Sequence, residues 1–225
     1  MYPIFKRFFD ILFSFTALLI LMPFLIPVII ILLLTGEHKV FYLQKRIGYK
    51  NRQFNIIKFA TMLKNSPNLG TGSITLKNDP RVLPFGRFLR KTKINEIPQF
   101  LNILIGDMSL VGPRPLMEKD FLRYPSQIQE KVYDIKPGLT GIGSVVFRDE
   151  EAVLNQYKGR EVEAYERIVA PYKGELELWY QQNMSLWVDI KILFLTLLAI
   201  AFPNNKLPKR LFKNLPSPEK YFIRF

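Results

Sequence analysis

A chain of 225 residues is long enough for one sizeable domain with a small extra lobe. Lys and Arg outnumber Asp and Glu by 32 to 19, a formal net charge of +13, so an anionic partner is expected: nucleic acid, acidic lipid headgroups or a phosphorylated substrate. The absence of Cys excludes a disulfide framework, a Cys-ligated metal and a thiol nucleophile, and the single histidine, His38, excludes a His cluster and reads as an incidental residue at a membrane edge.

Residues 11–34, ILFSFTALLILMPFLIPVIIILLL, carry no charge and exceed the roughly 20 residues that a helix needs to cross a bilayer. The segment is too long for a signal peptide and lacks a small-residue cleavage site. Two features count against a simple span. Pro23 and Pro27 each remove a helical hydrogen bond and favour a kink. Basic residues also flank both ends, Lys6 and Arg7 before, Lys39, Lys45 and Arg46 after. A span would put one basic flank outside, against the positive-inside tendency, whereas a re-entrant hairpin keeps both inside.

Phe41–Leu43 and Phe54–Phe59 read as short strands with a turn at Gly48 to Asn51. Lys58 follows an apolar run and is a candidate phosphate ligand or an ordinary surface lysine. Arg81 is a further cation. Arg87, Arg90 and Lys91 fall at helical i, i+3, i+4 spacing, suited either to acidic lipid or to clamping a diphosphate with the planar Arg fork. The next helix is expected to start at Asn95, a strong N-cap residue, with Glu96 in the first turn, an apolar stripe of Ile97, Phe100, Leu101 and Leu104, and a stop at Gly106. Local rules thus explain Asn95 and Glu96 without any function. They do not explain VGPRP at 111–115, where Pro113 and Pro115 fix the backbone around Arg114, a candidate phosphate ligand.

Residues 116–135 read as helix broken at Pro125, 136–141 as a tight turn, and 152–180 as amphipathic helix. Arg148 is a candidate substrate contact beside the acidic run Asp149, Glu150 and Glu151. The apolar segment 186–202 has only a short uncharged stretch, which suits a helix lying in the membrane interface with Trp179, Tyr180 and Trp187 at headgroup level, or else a buried core helix. Residues 204–225 read as a basic, irregular, surface-binding tail.

The motifs KRFFD at 6–10, QKRIG at 44–48, KFATM at 58–62, NDPRV at 78–82, GRFLRKTKINEIPQ at 86–99, GDMSLVGPRP at 106–115, KPGLTG at 136–141 and YQQNMSLWVDIKILFLT at 180–196 occur in order. Over nearly its whole length the chain therefore resembles the bacterial sugar transferases, the monotopic polyprenol-phosphate phosphoglycosyl transferases. The resemblance implies a mainly helical α+β fold: a re-entrant membrane anchor over 1–39, a cytoplasmic catalytic domain over 40–203 that includes the interfacial helix 186–202, and the tail 204–225. It implies location at the bacterial inner membrane with the catalytic domain on the cytoplasmic face. It implies transfer of a sugar-1-phosphate from a UDP-sugar to undecaprenyl phosphate with loss of UMP, the first step of a surface polysaccharide or glycan, with Mg²⁺ as cofactor and with membrane lipids as partners. The apolar anchor and the lack of an RNA- or DNA-binding motif argue against nucleic acid as the anionic partner. In that family an Asp-Glu dyad opens the central helix, and its Asp is the nucleophile.

The dyad falls here on Asn95 and Glu96, and a neutral amide is a poor nucleophile. Glu96 then becomes the candidate nucleophile or metal ligand. The alternatives are that the 149–151 acidic cluster supplies the carboxylate, or that the chain binds nucleotide sugar or polyprenol phosphate as a pathway partner without transfer. Lys58, Arg81, Arg87, Arg90, Pro113, Arg114 and Arg148 remain the expected substrate-binding set. Ala60, where the family has a basic residue, and Met22, where it has Ser before Pro, are smaller departures.

Overall fold

The structure is a computed structural model and describes residues 1–66, 79–147, 154–157, 159–201, 211–212 and 214–217. Helices predominate, with two small sheets. In chain order the elements are α1 (Tyr2–Leu34), β1 (Phe41–Ile47), β2 (Gln53–Phe59), α2 (Pro84–Lys91), α3 (Gln99–Ile105), β3 (Ser109–Val111), α4 (Glu118–Phe121), α5 (Ser126–Gln129), β4 (Gly138–Thr140), α6 (Ile142–Val146), α7 (Glu161–Ala164), α8 (Ala170–Gln182) and α9 (Leu186–Ala201). A π-helical turn, Tyr165–Val169, joins α7 to α8. Pro171, at the start of α8, cannot donate the bond of a regular helix, and a wider turn accommodates that loss.

α1 is a helix of 33 residues that runs through Pro23 and Pro27. It is long and apolar enough to cross a membrane, and only 11% of its most apolar window is buried. Phe8, Phe15, Leu19, Met22 and Phe24 are all exposed. So much apolar surface is stable only outside water, which marks α1 as a membrane-associating segment. Its C-terminus is capped locally. Thr35 Oγ1 donates to Ile31 O, Gly36 takes a positive φ, and His38 Nδ1 lies 2.7 Å from Leu33 O. The histidine expected to be incidental thus closes a helix end.

By packing, the chain forms two compact units. One comprises 11–45 and 55–105. Its core joins Val28 and Leu32 of α1 to Phe59 of β2 and Leu89 of α2, with Val40, Phe85 and Ile94 against them. Two contacts set the geometry. Gly86 lies against Thr61, where a Cβ would stand 2.2 Å from the Thr61 carbonyl oxygen. The buried Asn102 of α3 accepts from Ile57 N–H at 2.9 Å and donates to Asn55 O at 2.8 Å. Its side-chain amide thereby pairs with the free edge of β2 as another strand would.

The other unit comprises 1–10, 46–54 and 106–225. β3 and β4 pair in parallel, Ser109 opposite Gly138 and Val111 opposite Thr140. The tight turn expected at 136–141 is therefore a strand, because Gly138 lets two backbones meet where any Cβ would collide. Ile47, Leu116, Phe121, Tyr124, Ile128, Val132 and Tyr133 form a core under α8. Tyr180, expected at headgroup level, is fully buried. Its hydroxyl bonds to Asp189 Oδ1, and Asp189 Oδ2 takes Tyr2 OH and Lys6 Nζ at 2.8 and 2.9 Å. Trp187, Ile190, Phe194 and Leu197 line an exposed apolar face of α9, while Ile192 and Leu195 are buried on the other. Part of the tail expected to be irregular and surface-binding is docked on the protein: Phe212 packs edge-on against Trp179, and Tyr172 OH donates to Pro216 O.

Asp189→Ala would leave the Lys6 ammonium and two tyrosine hydroxyls without their shared acceptor. Removing one member of a buried ion pair costs about 3–5 kcal/mol, so the variant is expected to melt markedly lower and to expose its first ten residues to protease. Unchanged thermal and proteolytic profiles in nanodiscs would count against this anchoring role.

Candidate functional site

In the first unit the site is built on the turn ahead of α3. The helix does not start at Asn95, as its capping propensity suggests. Lys93 adopts a left-handed φ of 62°, Ile94–Glu96 form a single 3₁₀ turn, and α3 begins only at Gln99. Bonds of the i→i+3 kind hold the stretch ahead of α3, from Glu96 N–H to Lys93 O, Ile97 N–H to Ile94 O and Phe100 N–H to Ile97 O, and Pro98 between them donates no bond. Asn95 is consequently no cap. Its side chain is buried, and Oδ1 has no hydrogen-bond partner. A buried, unsatisfied acceptor of this kind costs about 1–3 kcal/mol, and such atoms cluster where a ligand completes the set.

Glu96 is half-buried, with Oε1 4.0 Å from Lys58 Nζ. Lys58 comes from β2, which Asn102 holds against α3, so the carboxylate and ammonium are brought together by the fold and not by sequence proximity. Arg90 is half-buried on α2, with Nη1 3.4 Å from Met62 Sδ. Burial pulls its guanidinium pKa down from the usual value, and the Glu96 and Asp79 carboxylates oppose that. Arg87 and Lys91 are exposed, so the expected basic face is split: two cations point outward and Arg90 points inward. Arg81 is held. Its fork binds Asp79 through Nε and Nη2, the shortest contact being 2.6 Å, and Nη1 donates to Ser66 O. In this state Arg81 ties Asp79 to the Ser66 carbonyl, and its guanidinium would meet a phosphate only by releasing Asp79. Ala60, buried at 8% exposure, donates its N–H to Val40 O and contributes backbone alone.

The second unit contains the Gly112–Pro115 turn. Pro113 is buried, and its carbonyl accepts Gly138 N–H at 2.8 Å. Arg114 is exposed between buried neighbours. Its carbonyl accepts Tyr133 OH at 2.7 Å, and the same hydroxyl accepts Leu116 N–H at 2.9 Å. Arg46 Nη1 reaches Pro115 O at 3.4 Å. Beneath the turn lies Glu177 of α8, fully buried. Burial pushes its carboxyl pKa up to about 8, against the opposing pull of Lys173 and the backbone N–H groups of Arg114 and Gly143. Arg148 and the acidic run at 149–151 lie outside the described residues.

Composition and motif reading pass over Asn102, Tyr133 and Glu177, and the motif at 180–196 contains Asp189 without giving it a role. The available signal is a charged residue on the otherwise largely apolar inward face of a helix, as at Glu177 among Tyr172, Leu176 and Tyr180.

The buried proton acceptor at Glu177 gives a pH test. Its pKa in the folded chain lies above the usual carboxylate value, so the folded state binds the proton more tightly. The stabilisation is complete below about pH 4.5 and is lost as pH rises to about 8, at about 1.4 kcal/mol per pH unit at most. Denaturant unfolding at pH 6 and 9 should show lower stability at pH 9 and no such slope from this group in Glu177→Gln. An unchanged slope would mean another group titrates.

A model of the bacterial sugar transferase family matches residues 1–203. The chain belongs to the bacterial sugar transferases. Similar relatives include the UDP-galactose-lipid carrier transferase of Erwinia amylovora, 35% identical over 206 residues, covering 85% of this chain and 39% of that protein. The undecaprenyl-phosphate glucose phosphotransferase of Komagataeibacter xylinus is 35% identical over 207 residues, covering 89% of this chain and 36% of that protein. The exopolysaccharide production protein ExoY of Rhizobium meliloti is 33% identical over 209 residues, covering 87% of this chain and 84% of that protein. The chain thus spans well under half of the first two relatives and most of the third. Several of these sugar transferases are undecaprenyl-phosphate sugar phosphotransferases by name.

Proposed function

We propose that this sugar transferase moves a sugar-1-phosphate from a UDP-sugar to undecaprenyl phosphate and releases UMP, beginning a surface polysaccharide or glycan. The observation that carries the reading is the half-buried Glu96 carboxylate beside Lys58 and within electrostatic reach of Arg90, in a chain of this family. Glu96 supplies the nucleophilic oxygen. It attacks the sugar-bearing phosphorus, the phosphoanhydride bond breaks, and its electron pair leaves with UMP. The acceptor's phosphate oxygen then attacks the same phosphorus and releases the Glu96 carboxylate, so one displacement becomes two. Lys58 and Arg90 offset charge on the transferring phosphoryl oxygens, and exposed Arg87 takes an outer phosphate. Arg114, considered within its own unit, is a phosphate ligand on a fixed turn.

A divalent ion fits the donor set. Glu96 and the unpartnered Asn95 Oδ1 are hard oxygen ligands, and Mg²⁺ is usually held by one or two protein oxygens plus substrate phosphates. Among the described residues no group of three His, Cys, Asp or Glu forms a self-sufficient cage, which suits an ion that arrives with the nucleotide. When bound, it would neutralise phosphate charge.

The anchor α1 enters and leaves the cytoplasmic leaflet of the bacterial inner membrane, and the exposed apolar face of α9 lies in the membrane interface. Cysteines placed near Lys6 and Lys39 should then be labelled from the same side, and labelling from opposite sides would rule out this topology. Asn95 supports a second reading, binding of nucleotide sugar without transfer. UMP release from a panel of UDP-sugars with undecaprenyl phosphate and Mg²⁺ decides between them: release supports the transferase, and binding without release supports the partner.

Asn95→Asp puts a second carboxylate beside Glu96 in a buried position. If Glu96 chemistry depends on a neutral neighbour, turnover is expected to fall about tenfold or more, because like charges at close range raise the pKa of one partner. A large gain in UMP release would instead assign the nucleophile to position 95 and make the native chain a weakened enzyme.

A further inference from the structure

The main chain of the Gly112–Pro115 turn is held by two residues that the reaction itself does not use. Tyr133 and Glu177 are both fully buried, come from distant parts of the chain, and take opposite ends of the same residue. Tyr133 OH donates to Arg114 O at 2.7 Å and accepts Leu116 N–H at 2.9 Å, so the hydroxyl spans the turn. The Glu177 carboxyl accepts the backbone N–H groups of Arg114 and Gly143. Its Oε2 has no partner, which leaves Oε1 as the acceptor. Gly143 is shaped for that oxygen: a Cβ there would lie 2.4 Å from Oε1. A carboxyl is costly to bury in this way, and an apolar side chain would fill the space under the turn at lower cost. Only an acceptor can satisfy both N–H groups.

We propose that Glu177 and Tyr133 are positioning residues for Arg114, one gripping its N–H and the other its C=O, so that its guanidinium is presented at a fixed place to the diphosphate of the nucleotide sugar. The inference rests on the proposed role of Arg114 as a phosphate ligand. The groups facing Glu177 are Lys173 of its own helix, Arg114 of the turn and the Tyr133 hydroxyl. The two backbone bonds require a carbonyl-type oxygen and not a charge. Glutamine is therefore the conservative replacement, and methionine removes the acceptor while keeping the length.

The experiment uses the full chain in nanodiscs, with UDP-sugar KM and kcat and backbone hydrogen exchange over 112–116 measured together. Glu177→Met is expected to raise KM about tenfold with kcat nearly unchanged and to speed exchange at Arg114, and Glu177→Gln is expected to restore both. Tyr133→Phe should give the same pattern from the other side of the turn, and it serves as the second variant if Glu177→Met does not fold. In an Arg114→Gln background neither change should raise KM further. Equal KM in all variants, or an undiminished penalty in the Arg114→Gln background, overturns the proposal. If no UDP-sugar is turned over, the functional reading fails separately, and hydrogen exchange at Arg114 still decides whether the two residues hold the turn: faster exchange in the variants supports it and unchanged exchange overturns it.

Discussion

Glu96→Gln is expected to lower sugar-phosphate transfer by about 10³-fold or more while leaving the fold intact. The two effects separate because the proposed reaction uses the carboxylate for its charge and nucleophilicity, while the side chain contributes little to stability. At 4.0 Å and partial exposure, the Lys58–Glu96 pair contributes at most about 1 kcal/mol. Glutamine keeps the length and planarity of the side chain, so the 3₁₀ turn and the packing of Ile94 persist. What disappears is the anionic oxygen proposed to attack phosphorus. The measurement is UMP release in nanodiscs alongside a thermal melt. Loss of release at an unchanged melting temperature supports a chemical role, and near-normal release removes Glu96 from the reaction.

Gly138→Ala is expected to unfold the second unit or prevent it from forming. The added Cβ would lie 2.1 Å from Gly112 N, 2.4 Å from Thr140 O and 2.6 Å from Gly112 O. These are backbone atoms that no rotamer change can move. Overpacking of flexible side chains costs about 1–3 kcal/mol, so a backbone collision at three atoms should exceed that range. The β3–β4 pair would separate, and with it the bonds from Gly138 N–H to Pro113 O and from Gly112 N–H to Thr140 O. Trypsin sensitivity between residues 106 and 141 and a fall in melting temperature test this. A variant as stable as the parent would show that the two strands are not packed as described.

Periodicity and propensity identify what depends on neighbours along the chain. The long apolar helix, the β1–β2 pair around Gly48 to Asn51 and the apolar α9 are all legible from local pattern. Helix α3 is legible too, although its start is misplaced by four residues: the capping strength of Asn95 argues for one boundary, whereas the chain makes the tighter 3₁₀ turn Ile94–Glu96 first and α3 begins at Gln99. The strand Gly138–Thr140 reads as a turn because KPGLTG has turn composition. Its pairing partner lies 29 residues upstream at Ser109, where no local pattern points to it. The candidate site divides in the same way. Motifs single out Glu96, Lys58, Arg90 and Arg114. They do not reveal that Arg90 turns inward while Arg87 faces outward, or that Tyr180 and Glu177 are buried, since each of these follows from contacts across long sequence separations; the Arg81–Asp79 pair is local, but a motif does not say which way its guanidinium turns.

Arg114 stands exposed on a stretch of main chain whose N–H and C=O are both already satisfied inside the protein. When an anion arrives, the backbone has no conformational freedom left to lose, and only the rotamers of one long side chain must be frozen. That is a cost of about 2 kcal/mol or less, against about 1–2 kcal/mol for each additional residue if the four-residue turn had to order on contact. The proline–glycine frame thus shifts an entropic penalty from the moment of binding to the moment of folding, and the affinity of the turn for its ligand is set largely before the ligand appears.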